Sequence, residues 1–308
     1  MLKNSKIFIA GHRGMVGSAL IRAFEKKGVH NLILKSSQEL DLRDQRKVKD
    51  FFYQEEPEIV ILAAARVGGI AANIKYPGDF LYENLMIESN VVHASLLTKV
   101  KKFCFLGSSC VYPRDCLQPI KEEYLMTGGL EPTNEGYAIA KIAGIKLIEL
   151  YHRQYGFNGF SIMPCNLYGT NDCYDPLRAH VIPALIRKFV EAKNKDYPLV
   201  EIWGTGQARR EFMHVDDAAE GILYLIENYD GSEMVNLGPG QDISILNLAK
   251  IISRITGFKG IIKWDSEKPD GMPQKCLDVT KMKSLGFYPR IALEDGIKKT
   301  IDEYTAPT

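Results

Sequence analysis

Ile7-Phe8-Ile9-Ala10-Gly11-His12-Arg13-Gly14-Met15-Val16-Gly17 is the stretch on which the fold is decided. Four consecutive apolar residues read as a strand covered on both faces, the condition of a parallel sheet. Glycines at 11, 14 and 17 follow at once, and Ala19, Leu20 and Phe24 then recur at helical spacing. Strand, tight turn and helix make the first half of a βαβ unit whose helix N-terminus offers free N–H groups to a pyrophosphate. A glycine-rich turn also arises for purely conformational reasons. Its position after the first strand and at the head of a helix nevertheless makes Gly11, His12, Arg13, Gly14, Met15, Val16 and Gly17 the expected seat of a dinucleotide.

Outward from that stretch, short β-rich runs alternate with amphipathic ones. Strands are expected near 6–10, 32–35, 58–63, 101–107 and 159–164, and helices near 15–27, 44–54, 79–98 and 136–155. This alternation predicts an α/β chain, a Rossmann-type doubly wound parallel sheet with helices on both faces. After Gly169 the pattern loosens into a polar loop, Thr170 to Ala179, and a helix follows from near His180 to about Asn194. Glu211–Asn228 reads as a further helix with Asp216 and Asp217 capping its start, and Met234–Leu237 as a buried strand. A first domain of 1–170 and 211–238, and a smaller mixed α/β substrate-binding domain of 171–210 and 239–308, are therefore expected. Ligands of such sheets lie beyond the carboxyl ends of the strands, in the cleft between the two regions.

Composition narrows the function. The 308 residues carry 39 Lys and Arg against 38 Asp and Glu, with no long basic tract, so nucleic acid is not an expected partner. Six cysteines show no CxxC pair and no Cys/His spacing of a zinc site, so neither disulfides nor a metal are expected. The first strand begins at Ile7, leaving no room for a signal peptide, and no apolar run reaches the ~20 residues of a membrane helix. A cytoplasmic location, with no membrane partner, is the expectation.

The cofactor's identity hangs on charge. An acid at the end of the second strand would accept from an NAD ribose, but that strand ends Leu34-Lys35-Ser36-Ser37. Lys35 and the loop's own Arg13 favour a 2′-phosphate, and hence NADP(H).

Two later segments carry chemistry. The strand Phe103–Leu106 runs into Gly107-Ser108-Ser109-Cys110, and Tyr137 lies four residues before Lys141. Four residues of helix rise ~6 Å and return nearly to the same face, which sets the ammonium beside the phenol. A neighbouring cation favours phenolate and lowers a pKa ordinarily about 10, readying Tyr137 to exchange a proton as hydride moves to or from a carbonyl. Ser108 is positioned to donate to that carbonyl oxygen, although such serines also cap turns, and Ser109 stays undecided.

With Gly11–Gly17, Ala63–Asn73, Gly107–Pro113, Glu131–Lys141, Asn166–Gly169, His180–Pro183 and Arg210–Asp217 in order, the chain resembles the extended short-chain dehydrogenase/reductase superfamily. Within it, the chain is most similar to the GDP-L-fucose synthase family. The resemblance implies NADPH-dependent 3,5-epimerisation and 4-reduction of GDP-4-keto-6-deoxy-D-mannose. It makes Cys110 the base and His180 the acid of epimerisation, beside Ser108, Tyr137 and Lys141 as the reduction set. It also brings Ala64, Leu106, Tyr137, Lys141, Pro164, Asn166, Leu167 and His180 to the cofactor, and Lys188, Trp203, Arg210 and Asp270 to the GDP-sugar. A homodimer through helices 79–98 and 136–155 is implied as well. Ser37 stands where the family often has Arg, shifting 2′-phosphate recognition onto Lys35 and Arg13, and Lys188 also stands where Arg is frequent, losing the bidentate fork and weakening one phosphate contact. Read from the residues alone, Cys110 is as readily a small buried hydrophobe, Trp203 a packing residue, and Asp270 part of a Pro/Gly turn.

Overall fold

The computed structural model describes residues 2–306 except 177 and 269. The extremes of both expected domains, one residue of the Thr170–Ala179 loop and Pro269 of the Lys268–Gly271 turn therefore lie outside the described residues. In chain order the elements begin with β1 (Ile7–Ala10), α1 (Met15–Lys26), β2 (Leu32–Ile33), α2 (Gln45–Glu55), β3 (Ile59–Leu62), α3 (Ile70–Lys75), α4 (Pro77–Leu97) and β4 (Lys102–Leu106). Next come α5 (Glu135–Tyr155), β5 (Gly159–Pro164), β6 (Asn166–Tyr168), α6 (Val181–Asn194), β7 (Leu199–Trp203), β8 (Arg209–His214), α7 (Val215–Asn228) and β9 (Val235–Leu237). The chain closes with β10 (Asp242–Ser244), α8 (Ile245–Thr256), β11 (Ile261–Asp265), β12 (Gln274–Lys275), α9 (Thr280–Ser284) and α10 (Leu293–Thr305).

Six strands form one parallel sheet in the order β2-β1-β3-β4-β5-β9. β1, β3 and β4 are buried at every residue, as strands with helices on both faces must be. From β1 the chain runs first to β2 on one side and then to β3 on the other, so the strand order reverses at the carboxyl ends of β1 and β3. That reversal opens the crevice in which such sheets bind ligands. Gly11 sits there with φ +87, and a Cβ on it would lie 2.7 Å from the Ala64 nitrogen. Only glycine admits that approach.

A second group of strands stands apart. β8 runs parallel to β6 and β12 and antiparallel to β10, and β7 pairs in parallel with β11. The expected helix over Glu211–Asn228 is thus corrected at its start: Arg209–His214 is a strand and the helix begins at Val215. β6 supplies the partner, with Leu167 opposite Met213, and the alternative was invisible without it. The cap moves too. His214 accepts from the Asp216 N–H, whereas Asp216 pairs with Arg22 of α1 at 2.6 Å and Asp217 accepts from the N–H groups of Arg290 and Ile291. The ion pair to Arg22 holds α7 along α1 and returns the chain to the first sheet.

Two separate buried apolar clusters result, one around β1, β3, β4 and β5, the other uniting α6, α8, β7 and α10. No described helix is long and apolar enough to cross a membrane.

Glu211 on β8 is buried, and its carboxylate accepts from Gly240 N–H at 2.6 Å and Leu277 N–H at 2.8 Å. Burial outweighs these donors and pushes its pKa up to about 7. A carboxyl raised on folding adds stability that is complete below its unfolded pKa and lost as pH rises through the folded one, on the order of 3 kcal/mol for such a shift. The urea midpoint of the native chain should therefore fall between pH 4.5 and 8, and Glu211→Gln should flatten that decline; parallel curves would remove Glu211 as its cause.

Candidate active site

The turn after β1 is built as an anion cradle. Gly14 N–H donates to the Gly11 carbonyl at 3.0 Å, closing the turn, and a Cβ on Gly17 would collide with that same carbonyl and lie 2.6 Å from the His12 Cα. α1 starts without a side-chain cap, so the N–H groups of its first turn have no capping acceptor. Nδ1 of His12 is buried and lacks a hydrogen-bond partner among the described residues. Uncapped donors, a glycine-lined approach and an orphaned imidazole nitrogen fit a bound pyrophosphate.

At the rim of that cradle, Lys35 and Arg13 both act on one carboxylate, that of Glu39. Glu39 is held by the Ser36 N–H at 2.8 Å and the Ser36 hydroxyl at 2.6 Å, and these bonds, with the two cations, hold its pKa below the usual value. The structure thus gathers the two cations named from sequence and adds an acid that had no motif to announce it. Ala64 follows β3, Leu106 and Pro164 end β4 and β5, and Asn166 and Leu167 lie on β6, all at the carboxyl side of the sheet. Asn166 donates to the Glu211 carbonyl at 2.9 Å, an engagement that leaves its amide oxygen free of that bond.

Beyond β4, the side chain of Ser108 accepts from the Cys110 N–H at 3.3 Å and lies 3.1 Å from its Sγ. Ser108 does cap this short turn, and in doing so it puts hydroxyl and thiol side by side. Ser109 is buried beneath them.

Tyr137 and Lys141 share the inner face of α5, with the Lys141 Nζ 5.7 Å from the Tyr137 ring centroid and 4.5 Å from that of Phe105. The expected lowering of the phenol is corrected: its pKa is raised well above 10, first by burial and then by the thiol of Cys110 and the carboxylate of Glu88. The ammonium of Lys141 is engaged elsewhere. It donates to the Leu106 carbonyl at 2.9 Å and pairs with Glu88 at 3.1 Å, both side chains 2 % exposed. Glu88 is one residue that sequence reasoning missed, although a buried acid within α4 was a visible anomaly.

His180 caps α6 by its backbone, and desolvation of the ring lowers its pKa, favouring the neutral imidazole. Among the described residues no hydrogen bond joins it to Cys110 or Tyr137.

The remaining candidates lie on the second group of strands. Trp203, at the end of β7, is 66 % exposed with Lys268 Nζ 5.6 Å from its ring, which sets aside core packing and leaves a free aromatic face. Lys188 donates to the Glu201 carbonyl at 2.8 Å, and burial and the neighbouring Arg187 lower its pKa. Arg209 is bound to Asp242 at 2.6 Å, whereas Arg210 donates to the Arg209 carbonyl and is desolvated, with Asp270 opposing that effect. Asp270 accepts from the Thr205 N–H at 2.7 Å and the Thr205 hydroxyl at 2.6 Å. It holds the turn in which Gly204 and Gly206 take positive φ. Lys275 of β12 lies opposite Arg210 in register and interacts electrostatically with both Cys110 and Arg210, linking the thiol to this group. It sits outside every recognised pattern, and sequence reasoning missed it. Among the described residues no set of His, Cys, Asp and Glu could hold a metal.

A sequence model of the NAD dependent epimerase/dehydratase family matches residues 7–238. The chain belongs to that family. Its relatives include GDP-L-fucose synthase 1 of Arabidopsis thaliana, 52% identical over 98% of this chain and 94% of the relative. GDP-L-fucose synthase of Escherichia coli K12 is 49% identical over 97% of this chain and 96% of its own. Among solved structures of the family, a GDP-mannoheptose C4 reductase from Campylobacter jejuni with NADP bound superposes with a TM-score of 0.92 at 42% identity, covering 99% of this chain and 100% of that one.

If Lys35 and Arg13 grip a 2′-phosphate, Lys35→Ala or Arg13→Ala should weaken binding of 2′,5′-ADP about tenfold while leaving 5′-AMP nearly unchanged. Calorimetric titration reads both, and equal losses for the two nucleotides would dissociate these cations from the 2′ position.

Proposed function

We propose that this chain converts GDP-4-keto-6-deoxy-D-mannose to GDP-L-fucose by NADPH-dependent epimerisation at C3 and C5 and reduction at C4. The observation that carries the reading is the placing of Cys110 against Ser108 at the carboxyl end of β4, within electrostatic reach of Tyr137. Full-length identity of about half to curated GDP-L-fucose synthases supports the substrate. The cradle from Gly11 to Gly17, with Ala64, Leu106, Pro164, Asn166 and Leu167, holds the cofactor, which supplies the hydride for C4.

In this reading Ser108 hydrogen-bonds the C4 oxygen and so stabilises the enolate that forms when an adjacent C–H bond is broken. At each of C3 and C5 in turn, the thiolate of Cys110 removes the proton and protonated His180 delivers one to the opposite face, and between the two inversions Cys110 loses its proton to solvent while His180 regains one. Tyr137, whose half-buried phenol keeps its proton near neutral pH, then delivers it to the C4 oxygen as hydride arrives. Lys141 orients the phenol and meets the nicotinamide ribose. Lys188 and Arg210 neutralise the pyrophosphate, Trp203 covers the base, and Asp270 keeps the Thr205 turn in shape beside them.

The division into units of 1–170 with 211–238 and 171–210 with 239–308 belongs to the same proposal and is supported by the two apolar clusters. So does a homodimer through α4 and α5, whose outer faces expose Tyr82, Leu97, Ile139, Leu150 and Tyr155. Six unpaired cysteines agree with a reducing, cytoplasmic setting.

Cys110→Ser should abolish solvent deuterium incorporation at C3 and C5 while sparing much of the NADPH oxidation, and the product examined by NMR should keep the starting configuration at both carbons. Formation of GDP-L-fucose at the native rate would overturn the assignment of Cys110. Tyr137→Phe should reverse the pattern, slowing reduction by about 10²- to 10⁴-fold and leaving deuterium exchange in place.

A further inference from the structure

Glu88 projects from α4 into the contact between α4 and α5, where both of its carboxylate oxygens are buried. Space for it comes from Gly144 of α5: a Cβ there would lie 2.9 Å from Glu88 Oε2 and 2.8 Å from the Phe105 ring. Neither carboxylate oxygen takes a hydrogen bond from another described group, and the Lys141 ammonium at 3.1 Å is its one ionic partner among the described residues. A buried carboxylate dedicated to a single ammonium is expensive to maintain, and burial raises its pKa even though Lys141 pulls it back. A scaffold role alone would be served by an apolar side chain at this place.

We propose that Glu88 is a positioning residue for reduction, fixing Lys141 under Tyr137 and balancing its charge so that the phenol keeps the proton it must deliver. The inference rests on the reading of Tyr137 as proton donor. The titratable groups facing the pair are few. α4 contributes Glu88, the turn after β4 contributes Cys110, and β4 itself presents the Phe105 ring and the Leu106 carbonyl. Glu88 bears on the phenol in two ways with the same sign. Its own negative charge disfavours phenolate, and its pairing with Lys141 withholds a cation that would favour it.

The test is the pH dependence of single-turnover NADPH oxidation with GDP-4-keto-6-deoxy-D-mannose, compared with deuterium exchange at C3 and C5. A proton donor must be protonated, so reduction falls off on the alkaline side as Tyr137 ionises. In Glu88→Gln this alkaline limb should move down by about one pH unit, a tenfold loss of reduction at a given alkaline pH, while the exchange profile stays in place. Glu88→Asp, one methylene shorter, should move the limb in the same direction by less, and serves alone if Glu88→Gln does not fold. A limb that stays at its native position, or moves up, in the folded variant overturns the proposal, whatever the change in rate or melting temperature. Tyr137→Phe run alongside separates the two readings. If it reduces at the native rate, the donor assignment fails and takes the proposal with it; if its reduction is slowed by about 10²-fold or more, an unmoved limb in the Glu88 variants counts against Glu88 alone.

Discussion

Lys141 carries a charge into a region closed to water, where an unpaired ion costs several kcal/mol even after local relaxation. Its two partners come from different elements, the Leu106 carbonyl at the end of β4 and Glu88 on α4. Meeting that electrostatic demand therefore fixes α5 against the sheet and against α4 at once. The same fixing sets the height of Tyr137 above the strand ends and its distance from Cys110. Catalytic geometry and helix packing are here one constraint, which is why Gly144 must stay small and why the face carries a carboxylate amid apolar residues.

How much of this was legible follows from what a spacing can say. The glycine turn, the serine and cysteine beyond β4, and the Tyr137–Lys141 pair were readable because each is local, set within a few residues by helix or turn geometry. The crevice at the strand reversal was likewise implied by alternation of strand and helix patterns. What local spacing cannot supply is the partner from elsewhere in the chain. Helical periodicity placed Lys141 near Tyr137, but it could not report that Glu88, 53 residues upstream of Lys141 by the numbering, engages the ammonium. The direction of the phenol's shift was read with the wrong sign, because burial, which no local spacing reports, and the charges of Cys110 and Glu88 raise it. Glu211–His214 looked like the start of a helix for the same reason, since β6 and β10 had first to be placed alongside it.

Charge at the cofactor rim shows a milder version of the same lesson. Lys35 and Arg13 were visible as cations, and their convergence was inferred. Glu39, bound to Ser36, tempers both. On the proposed role of Lys35 and Arg13, affinity for a 2′-phosphate is a difference between two cations and a nearby acid, and a count of basic residues overstates it.

The two buried clusters have a consequence for how such a chain changes over evolutionary time. In the proposed function, proton and hydride chemistry is built on β4, α5 and the glycine turn, whereas Trp203 ends β7 and Lys188 lies on α6, elements of the second apolar cluster. Between them stand β8 and its neighbour β12, which carry Arg210 and Lys275. On the proposed assignment, a lineage can exchange the nucleotide or sugar it accepts by remodelling short exposed turns beside the second cluster while the reaction machinery built on the first is inherited untouched.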